Sequence, residues 1–144
     1  MALRARAESP DQGKLHVDRS SNGRNFDDLL DLVPDAERVE DSDCVARIRV
    51  ELAAERAVAV EVVGREWMYL PPVVRARDSS GTPWNDDGRV FLHVVVFYGV
   101  QEAQGIFMPD DELLCLDPFF PLGVQPLRLT LGELRRACGR AIVL

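Results

Sequence analysis

Apolar residues along this chain fall into runs that alternate or recur at helical spacing, and one run dominates. In Arg89-Val90-Phe91-Leu92-His93-Val94-Val95-Val96-Phe97-Tyr98-Gly99-Val100, the residues Val90, Leu92, Val94, Val96, Tyr98 and Val100 point one way. Phe91, His93, Val95 and Phe97 point the other, because successive strand side chains alternate between faces. β-Branched and aromatic residues suit a pleated surface, and a strand apolar on both sides belongs in the middle of a covered sheet. This run predicts a central strand, and the remaining runs predict its neighbours and cover.

Upstream, Cys44, Ala46, Ile48, Val50 and Leu52 alternate with Arg47, Arg49 and Glu51, predicting a half-buried strand. A turn at 53–56 would lead it into a second strand over 57–63, where Val58, Val60 and Val62 share a face. The helix formers between Glu51 and Arg56 offer a competing helical turn. Trp67-Met68-Tyr69-Leu70 predicts a short strand ended by Pro71-Pro72, and residues 73–77 another that enters a turn-rich loop over 78–88. Downstream, residues 101–105 have hairpin length and a glycine, which would pair Ile106-Phe107-Met108 back onto the central strand. Residues 113–116, 127–129 and 140–144 complete the expected strands, with Asp117-Pro118-Phe119-Phe120-Pro121 as a stiff apolar loop.

Two segments carry the helical period. Phe26, Leu29, Leu30 and Val33 recur at i, i+3, i+4 and i+7, predicting a helix capped by Asn25 and ended by Pro34. Thr130-Leu131-Gly132-Glu133 is a capping-box pattern that opens a second helix through Leu134, Ala137 and Cys138, with Gly139 as its terminator. The combination predicts an α+β fold: a mainly antiparallel sheet of about five to seven strands with two short helices packed on one face or end. Residues 1–24, polar and without periodicity, are expected to form a flexible arm, leaving 25–144 as a single domain.

Composition narrows the class of function. The chain has 144 residues, of which 47% are hydrophobic and 28% charged, and no run approaches the roughly 20 apolar residues of a membrane span. Its first residues lack the apolar core of a secretion signal, and its three cysteines, Cys44, Cys115 and Cys138, lack metal-ligand spacing. A soluble cytoplasmic protein with reduced thiols is expected. The net charge of −7 is concentrated: residues 1–24 sum to +2, residues 25–43 to −7 and residues 44–144 to −2.

That acidic segment supplies the candidate partner-binding residues Asp27, Asp28, Asp31, Asp35, Glu37, Glu40, Asp41 and Asp43. They form a negative strip that suits a basic or nucleic-acid-binding protein partner, while the bland reading is an amphipathic helix packed on the sheet with its charges merely solvated. Trp84, a large aromatic in a polar loop, joins them as a contact residue unless it folds back onto the core. Candidate chemistry is sparse. His16 lies in the polar arm, and His93 sits on the central strand, where a hydrogen-bonded core role competes with a catalytic one. No GxGxxG, GxxxxGK[ST], GxSxG, HExxH or CxxC pattern occurs, and the loop holding Asp86 and Asp87 lacks the spacing of a calcium site. These features predict a protein that binds another macromolecule, of inhibitor, immunity or adaptor type, needing no cofactor or metal and contacting neither nucleic acid nor membrane directly. The competing expectations are a structural subunit that self-assembles through its sheet edge, and a ligand-binding or hydrolytic domain using His93, Tyr98 and a carboxylate.

Overall fold

The computed structural model describes residues 26–39, 44–101 and 111–144. A 3-10 turn at Phe26–Asp28 runs into α1 (Leu29–Leu32), and β1 (Glu37–Arg38) follows. Next come α2 (Cys44–Ala53), β2 (Val58–Val63), α3 (Gly64–Met68) and α4 (Pro71–Ser80). The chain continues through β3 (Leu92–Gln101), β4 (Glu112–Leu116), a 3-10 turn at Leu122–Val124, β5 (Leu127–Leu129), α5 (Leu131–Arg135) and β6 (Cys138–Val143). The six strands form one antiparallel sheet in the order β1-β6-β2-β3-β4-β5, so the fold is α+β as the sequence predicts. Among the described residues no helix is long and apolar enough to cross a membrane.

The sheet separates two apolar clusters. Val58, Val60 and Val62 of β2, Val95 and Phe97 of β3, and Ala141 and Val143 of β6 face one side, called inner here. There they meet Ile48 and Leu52 of α2, Trp67 and Met68 of α3, Val73 and Ala76 of α4, and Leu131 and Leu134 of α5. On the outer side, Ala57 and Ala59, Val94 and Val96, and Ile142 and Leu144 meet Phe26, Leu29, Leu30 and Val33. The helical spacing of 26–33 therefore does place its apolar residues on one face, although regular α-helix ends at Leu32. Arg140 anchors this cover. Its guanidinium donates to both oxygens of the buried Glu61 at 3.0 and 3.2 Å, lies 3.5 Å from Asp27, and sits over the Phe26 ring.

Three predicted strands are helices, and the causes are local. Residues 44–53 carry both periods at once: beside the alternation, Val45, Ile48 and Leu52 share a helical face and are the residues buried. Helix-forming residues and the Arg47 to Glu51 ion pair at 2.7 Å, spaced i to i+4, decide for the helix and leave Val50 60% exposed. Residues 67–70 belong to α3 and the turn after it, while residues 73–77 belong to α4, which Pro71 and Pro72 open. A proline has no N–H to lose in the first helical turn, so the pair reads as a start as readily as a stop. Among the described residues five helices thus stand where two were expected, four of them on the inner face. Gly139 is also misplaced by the sequence reading: α5 ends at Arg135, and Gly139 lies within β6. There a Cβ would sit 2.7 Å from the Glu61 carbonyl oxygen. The capping box itself is present, with Thr130 and Glu133 exchanging side-chain and backbone bonds. The expected arm at 1–24, the Asn25 cap and the return strand at 106–108 lie outside the described residues.

Candidate functional site

Two of the acidic residues singled out from sequence, Asp27 and Glu37, are tied to arginines of the same chain. Asp27 bonds Arg38 at 2.9 Å as well as approaching Arg140, and Glu37 meets Arg47 at 3.0 Å and Arg56 at 4.0 Å. The carboxylates of Glu37 and Glu51 hold the Arg47 guanidinium well above its usual pKa, with the Glu51 hydrogen bond contributing most. Asp31 and Asp35 are exposed and Asp28 is half-buried on the segment that covers the outer sheet face. Glu40, Asp41 and Asp43 lie outside the described residues.

Trp84 folds back onto the molecule. Its ring meets Tyr69 edge to face at 5.3 Å and carries the Arg77 guanidinium 5.0 Å above it. Beside it Asp86 accepts from the Tyr69 hydroxyl at 2.8 Å, from Arg65 at 3.0 Å and from the Gly88 amide at 2.9 Å. These donors, Tyr69 first, pull the Asp86 carboxyl below its ordinary pKa, and the same bond raises that of Tyr69. The two aromatic residues and Asp86 clasp the 81–91 loop to α3 and α4.

A polar network that the sequence did not reveal lies at the end of the inner core. Asp117, fully buried, accepts from Trp67 Nε1 at 2.7 Å, from the Phe119 amide at 2.9 Å, and pairs with His93 Nε2 at 2.6 Å. A carboxylate that already accepts two N–H bonds takes a third most readily from a protonated Nε2, which leaves Nδ1 of a neutral imidazole as the acceptor. The Phe119 ring stacks on the imidazole at 3.9 Å, nearly parallel at 8°. Gln125 closes the loop from the other side, accepting from the Asp117 amide and donating to the carbonyls of Asp117 and Phe120, each at 2.8 Å. The only sequence signal for this arrangement was Asp-Pro opening a turn, where an Asp side chain accepts from the amide two residues on.

This network orients the His93 imidazole through the Asp117 carboxylate and the stacked Phe119 ring. His93 and Tyr98, paired in the hydrolytic expectation, fall on opposite faces of β3, so only His93 meets a carboxylate. Cys115 is fully buried, and desolvation together with the Asp117 charge pushes its thiol well above the usual pKa, away from the nucleophilic thiolate. The arrangement acts as a buried strut between β3, α3 and the loop after β4.

The outer sheet face differs. Leu92 is 60% exposed, and Val94, Val96, Tyr98, Leu114 and Leu116 are half-buried across β3 and β4. Burial raises the Tyr98 hydroxyl pKa while Arg128, across the same face, pulls it back. Fold and surface together define an α+β protein with one fully covered and one partly covered sheet face. None of the protein-family models, curated proteins or solved structures compared with the chain matches it.

Proposed function

We propose that the protein acts by binding another protein, as inhibitor, immunity and adaptor proteins do, with the outer face of β3 and β4 as its contact surface. The observation that carries this reading is the unequal cover of the sheet: along the outer face of β3 and β4, Leu92 is 60% exposed and Val94, Val96, Tyr98, Leu114 and Leu116 are only half-buried. Apolar patches rimmed by polar groups mark interaction sites in soluble proteins. Asp31 on the 26–33 segment, with Asp35 just after it, favours a partner with a basic rim, and charge at a rim acts chiefly on association rate. The internal pairing of Asp27 and Glu37 weighs against the acidic strip as the main contact. A buried Cys115, whose thiol is held well above its usual pKa, suits a reducing compartment such as the cytoplasm.

The test is capture from a lysate of the source cells at moderate salt, comparing the wild type with a Leu92→Asp, Leu116→Gln double variant of unchanged melting temperature. The expected result is a stoichiometric protein partner for the wild type that the variant loses. The same partner on both assigns the contact to another surface, and no stoichiometric partner on the wild type removes the binding reading.

A further inference from the structure

A second surface, of opposite charge, lies at the β5 edge of the sheet. There β5 pairs with β4 alone, so among the described residues its far side has no strand partner. Alternate residues of an edge strand direct N–H and C=O outward and can template an added strand. Alongside runs an open groove of about 430 Å³. One wall is the helical face of α4 formed by Pro72, Arg75, Ala76 and Ser79, at i, i+3, i+4 and i+7. The other is built from β5, the 123–126 turn and Glu112.

The groove carries positive charge. Arg38, Arg47, Arg56, Arg65 and Arg140 all pair with carboxylates of the chain. Arg75 and Arg128, both exposed and both lining the groove, pair with none among the described residues. Two unpaired guanidiniums against one carboxylate, Glu112, leave the groove positive in a chain whose net charge is −7. Guanidinium groups bind carboxylates through paired, charge-assisted hydrogen bonds. Self-pairing of β5 is disfavoured: in this three-residue strand a two-fold antiparallel contact centres on Arg128 and places like charges opposite each other.

We infer that the groove between α4 and β5 binds an extended acidic segment of another protein, added as a strand to β5 with its carboxylates on Arg75 and Arg128. Three residues of β5 provide few backbone bonds, so the side chains along α4 must supply selectivity. Arg75 stands on the α4 side of the β5 edge and Arg128 on the outer side, and the site does not need the reading given above.

The test uses the full chain and peptides selected on it from a displayed library of random dodecamers. Selected peptides are expected to carry Asp or Glu on both faces of the added strand, at odd spacing, and to slow amide exchange at residues 127–129. An Arg75→Glu, Arg128→Glu double variant with an unchanged melting temperature should bind them at least tenfold more weakly, while the Leu92→Asp, Leu116→Gln variant binds them as the wild type does. Selection without acidic enrichment, undiminished binding by the charge-reversed variant, or exchange unchanged at β5 each overturns the inference.

Discussion

The two faces of the sheet are built to different depths. On the inner face four helices bury Trp67, Phe97, Ile48 and Leu113 to 1% exposure or less, and a fully bonded carboxylate ties strand, helix and loop together. On the outer face one short segment covers the sheet among the described residues, and its neighbours Val94, Val96 and Tyr98 stay half-buried. Alternation along β2, β3 and β6 supplies apolar residues to both sides, so the difference comes from the cover and not from the strands. Local stability follows the depth of burial, which makes the 26–33 segment the first described element expected to open.

The largest effect is expected at the inner face. Asp117→Ala strands Trp67 Nε1, His93 and the Phe119 amide around a buried void and should cost about 3–5 kcal/mol in urea-unfolding free energy. Phe26→Ala on the outer face should cost less, about 1–3 kcal/mol, because the segment can lift without opening the larger core. Amide exchange should then accelerate at 29–33 and not in β3, and equal costs for the two variants would erase the distinction between the faces. Thiol labelling sharpens it further. Cys115 should stay unreactive toward a thiol reagent at mild alkaline pH in both the wild type and Phe26→Ala, while half-buried Cys44 and Cys138 react. Labelling of Cys115 in native Phe26→Ala protein would couple the two layers.

The smallest effect belongs to neither face. Asp86 has its pKa lowered in the folded state, so its contribution is present above the usual carboxylate pKa near 4 and is lost as pH falls through the lowered value. In that window the unfolded chain binds a proton that the native chain does not. Asp86→Asn should therefore flatten the acid limb of melting temperature against pH, and an unchanged limb would show the clasp on the 81–91 loop to be energetically silent.

The sequence revealed the sheet better than its cover. A two-residue period survives folding wherever β-branched runs are long, as in β2 and β3, so strand identity and facing were legible there. Residues 44–53 satisfied two periods, and only helix propensity with the Arg47 to Glu51 pair separated them. Pro71 and Pro72 were equally two-sided, marking the start of α4 as well as the end of α3. The Asp117 network was illegible because its members, Trp67, His93, Asp117 and Gln125, are brought together only by tertiary packing. The charge pattern was legible as a sum, but the pairing of Asp27 with Arg38 and Arg140, and of Glu37 with Arg47, depends on which strands adjoin.

The position of β6 has a consequence for how the chain is made. It follows every other strand in sequence yet inserts between β1 and β2. A ribosome-bound chain can prebuild the β2 to β5 meander, but β1 has no neighbour to join until β6 emerges. Assembly of the sheet therefore needs a long-range closure, which by topology alone places folding among the slower small domains and leaves the β2 edge open to mispairing until β6 has been made.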